Sequence, residues 1–251
     1  GYMIDTKKHS VQVCGCARDV EKHLPGVLAN FAAIGALFSD ASYVVVTNDN
    51  SDGTLSVLTE WSKRGPSRKV VNLDGMANRL KSRTERLPEC RNACLDELWQ
   101  NRKDFLVVMD MDGICQEPIS TANILTSFNH DGWAAMTANT SKYYDIWALR
   151  SSWCPYDCWK MVHQRPSSMS GEDAINTYIH AHKKVIPKET PPIEVESAFN
   201  GLGIYRASAI EGCRYSMKST FHGADVEHVA FNQGIRRRGG KVFINPAMLI
   251  R

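Results

Sequence analysis

Two aspartates separated by one residue follow a wholly apolar segment near the middle of the chain. Phe105–Met109 reads FLVVM, and Asp110-Met111-Asp112-Gly113 comes directly after it. Alternate residues of an extended segment point the same way, so Asp110 and Asp112 can face one ligand. Two carboxylates at a strand end suit a hard divalent cation, Mn²⁺ or Mg²⁺, which also binds substrate phosphates. A strand-ending turn is the alternative, because Asp and Gly are good turn formers.

A second polar segment follows another strand-like run, YVVVT. Asn48 and Asp49 come directly after it and could hydrogen-bond a base or a ribose. Asp52 and Thr54, in the same loop, are suited to capping the next helix. An ordinary strand–helix loop is the alternative for the whole segment.

Arginines are concentrated in a third segment, RTERLPECRN, at residues 83–92. The guanidinium groups of Arg83, Arg86 and Arg91 are suited to phosphate or carboxylate oxygens. A solvated helix face, with Glu85 and Glu89 as local partners, is the alternative.

The segments that must position these residues alternate between strand and helix patterns. Short β-branched or apolar runs predict strands at 10–16, 43–47, 69–73 and 105–109, and apolar residues at helical spacing predict helices at 20–37, 55–64 and 85–101. This order predicts the α/β class, with a parallel sheet and helices on both faces. Ligands of such sheets bind at the carboxyl ends of the strands. The second half is less regular, with strand candidates at 203–206 and 241–244.

Composition places the chain among ordinary soluble globular proteins. It has 251 residues, 30 Lys and Arg against 27 Asp and Glu, and 43% hydrophobic residues, which excludes disorder of the whole chain. A net charge of +3 is too small to indicate a nucleic-acid partner. The longest apolar stretch, 27–38, is shorter than the roughly 20 residues that a membrane span needs. Because the chain starts at Gly1, we expect it to be part of a longer, multidomain protein.

Eight cysteines are present, but their spacing is not that of a disulfide framework. Cys14 and Cys16 lie on a predicted strand, and Cys90 and Cys94 on a predicted helix. No C-x-x-C occurs, which argues against a zinc ribbon. We expect reduced, semi-buried thiols; disulfides in an oxidising compartment are the alternative.

Taken in order, these motifs resemble those of GT-A glycosyltransferases. The resemblance rests on SDGT at 51–54, RTERLPECRN at 83–92 and DMD at 110–112, followed by YYDIWALR at 143–150, FNGLGIYR at 199–206 and DVEHVAFN at 225–232. The set of motifs is similar to that of a GT-A branch that includes cryptococcal mannosyltransferase-like proteins and transferases of bacterial capsules and large viruses. The resemblance covers roughly residues 10–250. The resemblance implies a GT-A (Rossmann-like) fold in one domain, 1–251, with a nucleotide-binding half (10–113) and an acceptor-binding half (114–251).

The resemblance also implies roles for individual residues. Asp110 and Asp112 match the metal motif. The positions matching the donor site, which binds a UDP- or GDP-sugar, are Cys16, Arg18, Asn48, Asp49, Arg83, Arg91, Asp110, Met111, Asn200 and Gly201. Many relatives have an acid where this chain has Asn48.

The catalytic base is left open between three residues. Where many GT-A enzymes have a small residue followed by Glu-Asp, this chain has Val226-Glu227-His228, so Asp225, Glu227 or a neutral His228 could accept a proton. A helix-start carboxylate is the alternative for Glu227, and an enzyme that retains configuration needs no such base. The metal-binding histidine common near the C-terminus of GT-A enzymes is absent after Pro246. His222 and His228 are the substitutes, and a histidine beyond this chain is the other expectation.

The function that follows from the resemblance is metal-dependent transfer of a sugar from a nucleotide diphosphate sugar to a hydroxyl of a glycan acceptor. A non-catalytic glycan- or nucleotide-binding module of the same fold is the alternative. A nucleotidyltransferase would share the sheet, but the chain lacks an N-terminal glycine-rich triphosphate loop. The expected location is the cytoplasm (the host cytoplasm if viral), with the Golgi lumen as the alternative.

Overall fold

The computed structural model describes residues 3–217, 219–220, 223–224 and 226–251. The strands within these residues are β1 (Ser10–Ala17), β2 (Asp40–Thr47), β3 (Arg68–Asn72), β4 (Phe105–Met109), β5 (Ala135–Asn139), β6 (Ile193–Val195), β7 (Leu202–Arg206), β8 (Ser219–Thr220), β9 (Gly223–Ala224) and β10 (Val242–Leu249). The helices are α1 (Leu24–Gly35), α2 (Thr54–Lys63), α3 (Met76–Arg79), α4 (Arg83–Gln100), α5 (Thr121–Leu125), α6 (Cys158–His163), α7 (Gly171–Tyr178) and α8 (Glu227–Arg237).

Eight of these strands form one sheet, in the order β3-β2-β1-β4-β7-β5-β10-β6. β1 pairs in parallel with β2 and β4, β2 with β3, and β5 with β10. β7 is antiparallel to both of its neighbours, and β6 is antiparallel to β10. The predicted α/β class with a mostly parallel central sheet is therefore confirmed, with β4 at its centre.

Hydrophobic cores cover both faces of the sheet, which explains why β4 is apolar at every position. Leu106 and Val108 point into a core that includes Leu95 and Leu98 of α4. Phe105, Val107 and Met109 point into the other core, with Leu24, Val27, Phe31 and Ile34 of α1 and Leu58 of α2. A strand that is buried on both faces has no solvent-facing position to alternate with. The carboxyl ends of β1 and β4 thus lie side by side in a rigid setting.

The predicted elements of the first half agree with the observed ones to within a few residues. The largest difference is at the predicted helix 20–37, where a 3₁₀ turn (Glu21–His23) precedes α1. In the second half, β7 and β10 correspond to the predicted strands, although β10 continues to Leu249. β5 and β6 were not predicted. None of the helices built from the described residues has both the length and the apolar composition needed to cross a bilayer.

Candidate active site

A cavity of about 310 Å³ opens at the carboxyl ends of β1 and β4, beside the first half of α4. Its lining residues come from four segments: Cys16, Ala17, Arg18, Asp19 and Val20; Asn48; Arg83, Arg86, Leu87, Cys90 and Arg91; and Asp110, Met111 and Asp112. The structure therefore brings together eight of the predicted site residues, because parallel strands deliver their loops to one edge of the sheet.

The two aspartates of the DMD motif stand at different depths in this cavity. Asp110 follows β4 directly, and its backbone N–H donates to the carbonyl of Gly201 at 2.9 Å. Asp112 is exposed, and its Oδ1 accepts from the backbone N–H of Ile114 at 3.1 Å, so it also starts a 3₁₀ turn. Met111, between them, is 2% exposed and packs into the core of the α1 face. The motif thus combines the predicted carboxylate pair with the predicted strand-ending turn.

The charges around Asp110 suit a cation. Burial raises the pKa of Asp110 to about 7, and the nearby carboxylates of Asp112 and Asp145 add to the shift, although Arg91 opposes it. A positive charge beside Asp110 would therefore favour its ionised form, and oxygen donors are the ligands that Mn²⁺ and Mg²⁺ prefer. Among the described residues, no three His, Cys, Asp or Glu side chains converge as a complete metal site. An ion bound by Asp110 and Asp112 would need water or substrate oxygens as its remaining ligands.

Arg91 links the motif to the start of α8. Its Nη2 lies 3.3 Å from Asp110 Oδ1, and its Nε donates to Glu227 Oε1 at 2.9 Å. Arg91 and Glu227 are 5% and 3% exposed, and the Arg91 guanidinium also lies over the ring of Phe199. Burial opposes ionisation of Glu227, but His228 and Arg91 hold its pKa below the usual value. Glu227 is therefore an ionised helix-start carboxylate tied to a buried arginine.

His228 packs beside this ion pair. Its ring stacks on Phe199, with centroids 3.8 Å apart and planes at 17°, and its Nε2 lies 3.4 Å from Glu227 Oε1. Burial, with the charge of Arg91, lowers the pKa of His228 to about 3, so the imidazole is neutral near pH 7. The other candidates in this region, His222 and Asp225, lie outside the described residues.

Asn48 and Asp49 have separate roles in the structure. Asn48 lines the cavity, and its Nδ2 donates to Asp49 Oδ2 at 2.8 Å. Asp49 does not line it: its two carboxylate oxygens accept the backbone N–H groups of Gly75 and Ala77, both at 2.8 Å. The hydrogen bond from Asn48, with those from Gly75 and Ala77, lowers the pKa of Asp49 to about 2. Asp49 thus ties the loop after β2 to the turn before α3.

The arginines differ in how far they are already engaged. Arg83 is exposed at the first position of α4, and the Arg18 Nε donates to the carbonyl of Asp49 at 3.2 Å. Arg86 also lines the cavity while its Nη1 donates to the carbonyls of Leu80 and Lys81. Arg86 was absent from the donor contacts that the resemblance implied, although the sequence had marked it as able to meet phosphate.

Asn200 and Gly201 lie behind the cavity instead of lining it. Both adopt left-handed backbone conformations, with φ of +61° and +94°. The Asn200 side chain is buried; its Oδ1 accepts the N–H groups of Tyr144 and Asp145, and its Nδ2 donates to the carbonyl of Ala138 and to Thr140 Oγ1. Because Gly201 accepts the N–H of Asp110, this loop positions the metal motif from below.

Asp145 and Tyr144 are further polar residues near the motif that the sequence did not assign to the donor site. Asp145 accepts from the N–H groups of Ala148 and Asn200, and burial raises its pKa. The Tyr144 hydroxyl is buried without a hydrogen-bond partner among the described residues. Both belong to the YYDIWALR segment at 143–150, which the sequence had already singled out for the family resemblance.

Comparison with known proteins places this geometry in a family. Residues 20–236 match the family model described as cryptococcal mannosyltransferase 1. A search of the curated proteins finds no match.

Solved structures share the fold at low sequence identity. The mannosyltransferase PcManGT from Pyrobaculum calidifontis, in complex with GDP-Man and Mn²⁺, has a TM-score of 0.54 and 15% identity over 98% of this chain and 57% of that one. S. aureus TarS 1–349 in complex with UDP-GlcNAc has a TM-score of 0.52 and 13% identity over 94% of this chain and 55% of that one. Glucosyl-3-phosphoglycerate synthase from Mycobacterium tuberculosis, in complex with Mn²⁺, UDP and phosphoglyceric acid, has a TM-score of 0.50 and 9% identity over 94% and 68%.

These likenesses show the GT-A fold. The chain spans little more than half the length of the first two structures.

Proposed function

The chain belongs to the cryptococcal mannosyltransferase 1 family, and from this membership we propose that it is a metal-dependent glycosyltransferase. It moves a sugar from a nucleoside diphosphate sugar to a hydroxyl of a glycan acceptor. The observation that carries the proposal is that Asp110 and Asp112 line the same cavity as Arg18, Arg83 and Arg86. Carboxylates for a cation and guanidinium groups for phosphate oxygens therefore face the same space.

We propose GDP-mannose as the donor, with UDP-sugars as the alternatives. PcManGT is described in complex with GDP-Man and Mn²⁺, and TarS with UDP-GlcNAc. In this chain, Asn48 and Cys16 line the cavity, and we assign the base or ribose to their side of it. Asp49 supports the loop through Gly75 and Ala77, so we assign the direct contact to Asn48 and a positioning role to Asp49.

The chemistry at the diphosphate rests on charge. A bound divalent cation would neutralise the negative charge that develops on the leaving nucleoside diphosphate. Asp110 and Asp112 would hold that cation, while Arg83 and Arg86 offer donors to phosphate oxygens from the α4 side. Arg91 has its Nε and Nη2 engaged by Glu227 and Asp110, and thereby orients the Asp110 carboxylate. Fixed charges of this kind stabilise a transition state without reorganising during the reaction.

The base that takes the proton from the glycan hydroxyl is a separate question. Glu227 is ion-paired with Arg91, and His228 packs against Phe199. We propose that both position Arg91 and that neither takes the proton in the arrangement described. Asp225, one of the three candidates that the sequence left open, stays a candidate base for an inverting reaction, and a retaining reaction would need none.

Isothermal titration of the purified chain with GDP, UDP, GDP-mannose and UDP-glucose, with and without Mn²⁺, tests the proposal. We expect binding of one nucleotide class that depends on Mn²⁺, with slow release of free sugar from its donor. Failure of every nucleotide to bind in the presence of Mn²⁺ would contradict the proposal. Metal-dependent binding without any donor hydrolysis would instead support the non-catalytic module. The acceptor, the two-half division at residue 113 and the cytoplasmic or Golgi location remain predictions.

A further inference from the structure

Four cysteines face one another between β1 and α4. Cys14 and Cys16 are two residues apart on β1 and therefore point to the same face of the sheet. Cys90 and Cys94 are four residues apart on α4 and share one helix face. Cys16 is partly exposed and Cys90 is 4% exposed, and both line the cavity, whereas Cys14 and Cys94 are buried away from it. All eight cysteines are free thiols in the structure, and all but Cys16 are buried.

The surroundings of Cys16 differ from those of its partners. Hydrogen bonds from the thiols of Cys90 and Cys94, helped by the charge of Arg91, lower the pKa of Cys16 well below its usual value, although burial opposes the shift. The hydrogen bond to Cys16, together with burial, raises the pKa of Cys90, although Arg91 opposes the shift. Cys16 is also the more exposed of the two cysteines that line the cavity, so an oxidant in the cavity reaches it first and the neighbouring thiol of Cys90 can follow.

We propose that Cys16 is an oxidation site: its sulfur attacks a hydroperoxide first, and Cys90 then closes a disulfide that weakens binding in the cavity. The site rests on the placement of Cys16 and Cys90 in the lining of one cavity and in one cluster between β1 and α4, and only its effect on nucleotide binding rests on the proposed function. The co-reactant is hydrogen peroxide or an organic hydroperoxide.

Both steps balance. The Cys16 thiolate attacks one peroxide oxygen, the O–O bond breaks, and a sulfenic acid forms as hydroxide or alkoxide leaves. The Cys90 sulfur then attacks the Cys16 sulfur, the S–O bond breaks, and the hydroxyl leaves as water with the Cys90 proton. The pair of cysteines loses two electrons, and the peroxide gains them.

The disulfide would change the shape of the cavity. It holds its sulfurs about 2 Å apart, closer than two unbonded thiols, so α4 must move toward β1. The first half of α4 carries Arg83, Arg86 and Arg91, and the Cys90 thiol lies 3.8 Å from Asn48 Oδ1. Shifts of about 1 Å in such groups can cost 100-fold in function. We therefore expect nucleotide affinity in the presence of Mn²⁺ to fall at least tenfold.

The test oxidises reduced protein with hydrogen peroxide, blocks free thiols and maps the cysteines by mass spectrometry after trypsin. Trypsin places Cys90 in peptide 87–91 and Cys94 in peptide 92–102, so the two partners are distinguished directly. Cys14 and Cys16 share peptide 9–18, and its fragmentation, or the Cys14→Ser variant, separates them. GDP and UDP binding is measured before oxidation, after it, and after reduction with dithiothreitol.

We expect a Cys16–Cys90 link, an affinity loss of at least tenfold and recovery on reduction. Cys90→Ser should leave Cys16 as a sulfenic acid that dimedone captures. Cys213 is buried beside Arg238 and outside the cavity, so the control variant Cys213→Ser should respond to peroxide as the unchanged chain does. A Cys16–Cys94 link, or oxidation of Cys16 no faster than of Cys213, would overturn the site. An unchanged affinity after complete Cys16–Cys90 linkage would overturn its effect on binding. If the reduced protein binds no nucleotide, the proposed function fails while the peptide map still decides the oxidation site.

Discussion

Arg91 and Glu227 form a buried ion pair, with the Arg91 Nε 2.9 Å from Glu227 Oε1, although 136 residues separate them in sequence. The same guanidinium reaches Asp110 through its Nη2. The start of α8 is thereby connected to the metal motif at the end of β4. Substitutions at either end of this connection should affect both stability and the site.

Neutralising Glu227 should destabilise the fold. Glu227→Gln keeps the shape of the side chain but leaves the buried Arg91 without its closest carboxylate, so we expect the free energy of unfolding to fall by about 1–3 kcal/mol. Urea unfolding at pH 7 measures this. Glu194→Gln, at an exposed position of β6, is the matched control and should change stability by less than about 0.5 kcal/mol. Equal stability of the two variants would show that the ion pair contributes nothing net.

Removing both carboxylates of the motif should abolish metal-dependent binding. We expect the Asp110→Asn, Asp112→Asn double variant to lose the effect of Mn²⁺ on nucleotide affinity and to release no sugar from the donor, because amides are weaker cation ligands. Titration calorimetry and a donor-hydrolysis assay measure the two effects. Asp131→Asn, an exposed partner of Arg206 away from the cavity, should behave as the unchanged chain. Full Mn²⁺ dependence in the double variant would place the metal elsewhere.

His228 should make the protein less stable as the pH falls. Its pKa is about 3 in the folded chain against an ordinary value of 6.5. Between pH 3 and pH 6.5 the unfolded chain therefore binds a proton on this histidine that the folded chain does not bind. The free energy of unfolding therefore decreases on acidification below pH 6.5, by up to about 1.4 kcal/mol per pH unit from this group. His228→Gln should lose less stability than the unchanged chain between pH 6.5 and 4.5, as measured by urea unfolding. Parallel pH profiles for the two proteins would contradict the buried neutral imidazole.

Asp110 should have the opposite effect in the absence of metal. Its pKa is about 7 in the folded chain against an ordinary value of 3.8, so between these values the folded chain holds a proton that the unfolded chain releases. This contribution is complete below pH 3.8 and is lost as the pH rises through about 7. With EDTA present, Asp110→Asn should lose more stability than the unchanged chain on acidification from pH 7 to 4.5. Urea unfolding at pH 7 and pH 4.5 measures the difference. If Asp110→Asn instead lost less stability on acidification than the unchanged chain, the raised pKa of Asp110 would be refuted.

Gly201 should not tolerate a side chain. It has a φ of +94°, and a Cβ there would lie 3.0 Å from the Tyr144 hydroxyl and 3.1 Å from both Ile114 and Ile250. Gly132 is the matched control, since its φ is +76° and a Cβ would meet nothing within 4 Å. Backbone strain should cost both alanine variants roughly 1–2 kcal/mol. Gly201→Ala should lose more stability than this because its Cβ also meets neighbouring side chains. It should also weaken Mn²⁺-dependent binding, because the Gly201 carbonyl accepts the N–H of Asp110. Equal thermal shifts for the two variants would contradict this.

Local pattern was sufficient for the first half of the fold. The strand–helix alternation was readable because each strand is a short apolar run and each helix has one apolar stripe. β5 and β6 were missed for different reasons: β5 reads AMTAN, which has little β-branched character, and β6 has only three residues. Both are strands because β7 and β10 pair with them, a condition that no local window contains.

By itself the sequence determined the α/β order and the placement of Asp110, Asp112 and Asn48 at one edge of a sheet. These follow from residue periodicity and from the rule that parallel strands present their carboxyl ends together. Only the tertiary structure decided that Arg91 pairs with Glu227, that Asp49 supports a neighbouring turn, and that Cys16 meets Cys90. Each of these contacts joins segments more than 20 residues apart, and it depends on how helices pack on the sheet, which the spacing of residues within one segment does not encode.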